Sequence, residues 1–276
     1  MSVIKILATL FILFTQFSSF SQQKIYLNEN MKQVDSSLYY KKSEAYSYKA
    51  IEYDLDSLTL HKILYKFSFG KLNKTETKQI LNLLAIDSGK EISKNNIIII
   101  KYYDSIYNYQ TSKKKYDKHV AIHKYDTTKI SLLKKPRIWH KPYNKNTYTR
   151  NNKRWEKFCE KCVKKFEKIN MVKVLYSFKH NQKNTMKFKD LHFVKDRSVL
   201  KNTFFKIMYN FNLLVLKPNG EYFLSGGCFS DNKLKQLLKA DNWENFKSDW
   251  ENSIKKYPNN GFGFFSKPEK HEKHCF

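Results

Sequence analysis

The sequence predicts an α/β fold, a mixed sheet flanked by helices, with an N-terminal extension of strands and a long basic insertion. Three observations carry that reading. Ile97-Ile-Ile-Ile-Lys-Tyr-Tyr103 is an unbroken β-branched and aromatic run, the pattern of a strand buried on both faces. Asn212 to Gly226 sets two apolar runs on either side of Pro218-Asn219-Gly220, the clearest hairpin in the chain. Between and around these strands lie stretches whose apolar residues recur at threes and fours, as an amphipathic helix requires.

Taken in order, residues 1–21 carry Lys5, an apolar run Ile6 to Phe14 and the small-residue ending Ser18-Ser19-Phe20-Ser21. That is the layout of an export leader cut before Gln22, and its apolar run is too short to span a bilayer comfortably. Residues 22–57 form the extension, with strands expected at Lys24 to Asn28 and Tyr46 to Tyr53. The main domain is expected over 58–256. It opens with a strand over Leu58 to Phe69 stopped at Gly70, followed by a helix over Asn73 to Asp87. Asn73 or Thr75 is placed to cap that helix, and Gly89 to end it.

After the strand at 97–103 the character changes. Residues 104–152 show little periodicity, two prolines (Pro136, Pro142) and a scatter of Lys and Tyr, which predicts an irregular insertion with a short strand or hairpin at Val120 to Tyr125. A helix is expected over Lys153 to Ile169, with Trp155, Phe158, Cys162, Phe166 and Ile169 on one face. A strand over Val172 to Phe178, a helix over Arg197 to Tyr209 and the hairpin follow. Ser230 then caps a helix running to Leu238, and a helix bearing Trp243, Phe246, Trp250 and Ile254 precedes a loose Gly/Pro/Lys-rich tail, 257–276.

The chain has 276 residues and a formal net charge of +27, but only four of its 52 basic residues are Arg. Readers of bases and phosphates rely on the planar Arg fork, so this composition argues against nucleic acid and for looser attraction to anionic polymers or lipid headgroups. The Lys- and Tyr-rich 107–154 region suits a binding loop for anionic glycans, headgroups or a partner protein; the alternative is a solvated insertion. The expected partner is an unknown protein or an anionic component of the cell envelope. No cofactor is expected: the sequence has no Gly-rich phosphate loop, no His-Glu-x-x-His and no G-x-S-x-G.

Chemistry is arguable at one place, Trp155-Glu-Lys-Phe-Cys159-Glu-Lys-Cys162-Val-Lys-Lys-Phe166. A Cys-x-x-Cys pair supports thiol–disulfide exchange when its first cysteine sits at a helix N-terminus, where free N–H groups and the dipole stabilise thiolate. Cys159 would attack and Cys162 resolve. A helix starting near Asn152 removes that stabilisation; one starting at Phe158 restores it. The alternative is an amphipathic helix with a buried cysteine or a static bridge. Zinc is a third reading, with His271-x-x-His274-Cys275 supplying further ligand types, but nothing in the sequence brings the two halves together, and no metal site is assigned. Cys228 either pairs with Cys275 or stays buried. His61, His119, His123, His140, His180 and His192 are scattered, with no adjacent nucleophile motif.

The element order from Leu58, with Cys-x-x-Cys on the helix after the Ile97 strand, resembles the thioredoxin-like superfamily. The match is best over Trp155 to Leu238, where Leu213 to Gly220 is similar to the strand-and-turn of exported thiol reductases. The Phe204-Phe205 to Gly227 segment also resembles exported thioredoxin-like proteins of unassigned activity. The resemblance implies a thioredoxin-like sheet and gives Cys159 and Cys162 the nucleophilic and resolving roles. Three departures stand against activity. The family's cis-proline is missing, since no proline lies between Pro142 and Pro218; Glu160-Lys161 replaces the usual turn-forming pair; and about 50 residues separate the motif from its strand. The expectation is an exported binding or envelope-accessory protein, with thiol–disulfide oxidoreductase or polyanion binding as alternatives.

Overall fold

The computed structural model describes residues 23–55, 58–89, 91–123, 143–181, 193–206, 211–227, 229–239, 242–267 and 274–276. The expected leader and Cys228, His140, His192 and His271 lie outside them. Two mixed sheets and seven helices are present among the described residues. None of these helices is long and apolar enough to cross a membrane.

The first sheet has three strands: β1 (Gln23–Leu27), β2 (Tyr48–Leu55) and β3 (Leu58–Tyr65), in the order β1-β3-β2. β1 is parallel and β2 antiparallel to β3. Helix α1 (Ser36–Ser43) packs on it through Tyr39, against Tyr48 and Ile63. The stretch 58–69, expected as one strand, is two. β4 (Phe67–Lys71) leaves the first sheet after Lys66 and joins the second. Lys66 holds the break, donating its N–H to Ser47 O (3.1 Å) and accepting that of Gly226 (2.8 Å).

Helix α2 (Lys74–Ser88) starts and stops where its residues dictate. The Asn73 side chain accepts from Glu76 N–H while the Glu76 carboxylate accepts from Asn73 N–H, and Gly89 ends the helix at φ 62°. Then come β5 (Ile97–Ile106), α3 (Tyr109–His123), α4 (Lys145–Phe166), β6 (Val172–Asn181), β7 (Phe193–Lys195), α5 (Val199–Thr203), β8 (Leu213–Leu216), β9 (Glu221–Ser225), α6 (Asp231–Leu237) and α7 (Trp243–Lys255). The second sheet runs β4-β9-β8-β5-β6-β7; β5, β6 and β7 are parallel, and β8 is antiparallel to β5 and to β9. The hairpin therefore lies in the same sheet as the Ile97 strand, directly beside it.

Alternation along these strands makes two cores. Ile99, Val174, Tyr176, Leu213, Val215 and Phe223 face α4, α6 and α7. On the opposite face Ile98, Ile100, Leu175, Leu214 and Leu216 meet α2 and the α5 region.

Three expectations are corrected. In the 104–152 region the described residues are mostly helical: β5 continues to Ile106, α3 follows and α4 begins at Lys145, so Val120 to His123 is helix rather than strand, while 124–142, with Tyr125, Pro136 and Pro142, lie outside the described residues. Tyrosines hold this region, with Tyr109 and Tyr116 stacked on Tyr143 and the Tyr148 hydroxyl donating to Tyr107 O at 2.9 Å. The helix expected over 197–209 ends at Thr203, because Phe204 and Phe205 turn into the core and Phe205 stacks on Tyr102 with ring centroids 4.4 Å apart. The tail is not loose where described: Phe262 N–H donates to Ser253 Oγ (2.7 Å), Phe264 stacks on Phe246 (3.8 Å), and Phe265 is buried.

Gly220 closes the hairpin turn at φ 86°, and a Cβ there would lie 2.6 Å from both Leu72 O and Thr77 Oγ1. Gly220→Ala should therefore lower stability by about 2 kcal/mol or more, combining left-handed strain with a collision against fixed backbone. Denaturant unfolding checks this as a lower midpoint at an unchanged slope.

Candidate functional site

Helix α4 carries the Cys159-x-x-Cys162 motif. Its start is set by Asn144, whose side chain accepts from Thr147 N–H at 2.8 Å. The helix runs unbroken from Lys145 to Phe166, which puts Cys159 about 21 Å along the axis. The dipole acts only within the first turn, so it does nothing for a thiolate there. The amphipathic face also differs from expectation. Cys159, Cys162 and Phe166 are buried, whereas Phe158, placed on that face by sequence, is 45% exposed.

The two cysteines do not form a pair. Cys162 is disulfide-bonded to Cys275, 113 residues later, with Cα atoms 5.5 Å apart. Cys159 is a free thiol, 1% exposed. Burial pushes it up to about 11, Glu156 and Glu160 push the same way, and the Tyr176 hydroxyl opposes them. The redox geometry would require a low, accessible thiolate at Cys159 and a partner sulfur at Cys162. Burial removes the first, and the bridge to Cys275 occupies the second. The Tyr176 hydroxyl also reaches the Cys159 carbonyl oxygen at 3.5 Å, and burial holds this phenol, like that of Tyr103 (about 12), in its protonated form.

The chain end docks around this bridge. Asp231, the first residue of α6, accepts from Cys275 N–H (2.7 Å) through Oδ1 and from Lys165 Nζ (2.5 Å) through Oδ2. Its side chain is 5% exposed, so the buried charge has two partners and a helix N-terminus to satisfy it. Phe276 packs between Phe166 and Tyr176, with ring centroids 5.2 and 6.3 Å away. Sequence reasoning gave Tyr176, Asp231 and Phe276 no role at this site. Its one available signal was the apolar Cys275-Phe276 ending after a polar stretch.

The described histidines do not gather at one place. His61 lies in β3 with Nδ1 3.4 Å from Glu52 and its ring stacked on Tyr26; His119 and His123 lie in α3, His180 in β6. No group of three metal-ligating side chains is present among the described residues. The zinc reading loses the two cysteine sulfurs that the bridge joins.

The face of α4 opposite the core bears Arg150, Lys153, Arg154, Lys157, Lys161 and Lys164, all exposed. None of the six enters an ion pair among the described residues, in contrast to Lys165 on the flank. Asn146 and Thr149 join the first four of them in lining an open recess of about 410 Å³.

Comparison of the chain with protein-family models, with curated proteins and with solved structures finds no match.

Two measurements test the site. Cys275→Ser should lower stability by about 2–4 kcal/mol, because the bridge closes a long loop, and mild reductant should do the same to wild type. Iodoacetamide at pH 8 should leave the Cys159 peptide unmodified in native protein and label it in guanidinium, since the thiolate fraction is about one in a thousand. Folding raises this thiol from 9.0 to about 11, so its contribution to stability is complete below pH 9 and vanishes as pH climbs through 11. The gap in unfolding midpoint between wild type and Cys159→Ser should narrow over that range.

Proposed function

We propose that this is an exported, non-catalytic binding protein of thioredoxin-like architecture, an accessory of the cell envelope. The single observation behind the reading is the inequality of the two cysteines: Cys162 is bridged to a distant residue, and Cys159 is buried mid-helix with its thiol held protonated. A dithiol enzyme needs both sulfurs within reach of a substrate disulfide. Here Cys162 holds the Cys275 segment in place, and Cys159 lies buried beneath the helix.

The architecture is supported by the order of elements. β5 and β6 are parallel and joined through α4, and the β8–β9 hairpin pairs antiparallel on the other side of β5, with α6 following. Export is supported by the leader-like residues 1–21 and by a bridge that suits an oxidising compartment. Nothing in the geometry favours the oxidoreductase alternative.

A reduction assay on insulin with dithiothreitol decides between them. Wild type and Cys159→Ser should both give the uncatalysed rate. Turnover by wild type that disappears in Cys159→Ser would overturn the proposal and establish the oxidoreductase.

A further inference from the structure

We infer that the solvent face of α4 is a docking surface for a linear anionic polysaccharide, a deepening that rests on the binding reading above. Six cations, Arg150, Lys153, Arg154, Lys157, Lys161 and Lys164, fall on one face of an unbroken helix, opposite the buried cysteines. From Arg150 to Lys164 the row is about 21 Å long, with a step of roughly 5 Å at each turn. Like charges at these spacings repel and cost helix stability, and Glu156 and Glu160 at the edge of the row offset only part of that. Lys165, one position off the face, is the contrast: it is neutralised by Asp231.

Charge complementarity calls for a polyanion, and the surroundings choose among polyanions. The recess is open and shallow, and it includes Asn146 and Thr149, neutral groups that exchange hydrogen bonds with hydroxyls. A bilayer holds an amphipathic helix by its apolar face, and the apolar face of α4 is spent on the sheet. No aromatic side chain lines the recess to stack a base, as single-stranded nucleic acid would demand. A hydroxyl-rich chain bearing carboxylate or sulfate groups satisfies both the row of charges and the polar floor.

The test uses the full mature chain and heparin as probe, with single-stranded DNA, poly-L-glutamate and phosphatidylglycerol vesicles as competing arms. A first variant carries Arg150→Glu, Lys153→Glu, Arg154→Glu and Lys157→Glu; a second replaces the same four by Gln, in case charge reversal unsettles the helix. A control spreads the same charge change over exposed Lys24, Lys32, Lys78 and Lys247, each changed to Glu. Heparin should bind wild type with an affinity that falls steeply with salt. Both α4 variants should lose about tenfold or more and show a shallower salt slope, while the control stays within about threefold. Equal losses in the α4 variants and the control, or tighter binding to any competing arm than to heparin, overturn the inference. Insulin reduction on the same preparations keeps the two proposals apart: turnover sinks the non-catalytic reading and leaves the docking result standing.

Discussion

The burial of β5 on both faces is the constraint from which the rest of the molecule follows. Ile98, Ile99 and Ile100 are each fully buried, and successive side chains point to opposite sides of the sheet. Each is worth about 1.5–3 kcal/mol of burial, so three together match the whole net stability of a typical domain, about 5–15 kcal/mol. That strand can be satisfied only if both faces are roofed. Ile99 requires α4 and α6, and Ile98 and Ile100 require α2 and the Phe204-Phe205 turn. β5 also joins the two halves of the sheet, parallel to β6 on one side and antiparallel to β8 on the other.

Helix α4 is thus committed to the sheet before any question of chemistry arises, and its helical phase decides what the cysteines become. Residues three apart are neighbours on a helix, so Cys159 and Cys162 share the inward face. Cys159 points at Tyr103 and Tyr176 over the strands, where burial and two phenols surround it. Cys162 sits one turn nearer the chain end, where Asp231 fixes the backbone of Cys275. The same packing that makes the helix a good roof makes Cys159 a poor nucleophile.

Most of the second sheet was legible because its signals are local. Four consecutive isoleucines, a Pro-Asn-Gly turn between apolar runs, and the Asn73, Ser230 and Gly89 caps each act within a few residues, and each element sits within a few residues of its reading. The failures share a physical cause, dependence on distant contacts. The first turns of α4, Lys-Asn-Thr-Tyr-Thr-Arg-Asn-Asn, show no apolar stripe because they lean on α3 through tyrosines rather than on the sheet. The break at Lys66 is invisible in an apolar run that reads alike on either side, and depends on Ser47 and Gly226. The Cys162–Cys275 bridge spans 113 residues, and a polar approach to Cys275 hides its docking. Of the candidate site, the two cysteines were legible as positions; the start of their helix, which settles their chemistry, was not.

The bridge and the basic row are two consequences of one rigid helix. Long lysines on a mobile segment lose much of their binding energy to ordering, whereas a fixed helix presents their Cα atoms in a set register and leaves only side-chain rotamers to order. α4 is held at both ends: Tyr148 meets Tyr109 of α3 edge-on and donates to Tyr107 O at the first turns, and the disulfide with the Asp231–Lys165 pair holds the last. A free helix carrying six unpaired cations on one face would fray, since their mutual repulsion opposes the helical state. Anchoring the opposite face to the sheet and the chain end to the helix is what lets the repulsion persist. The Cys162–Cys275 linkage ties the last turn of that helix to the segment that ends at Phe276.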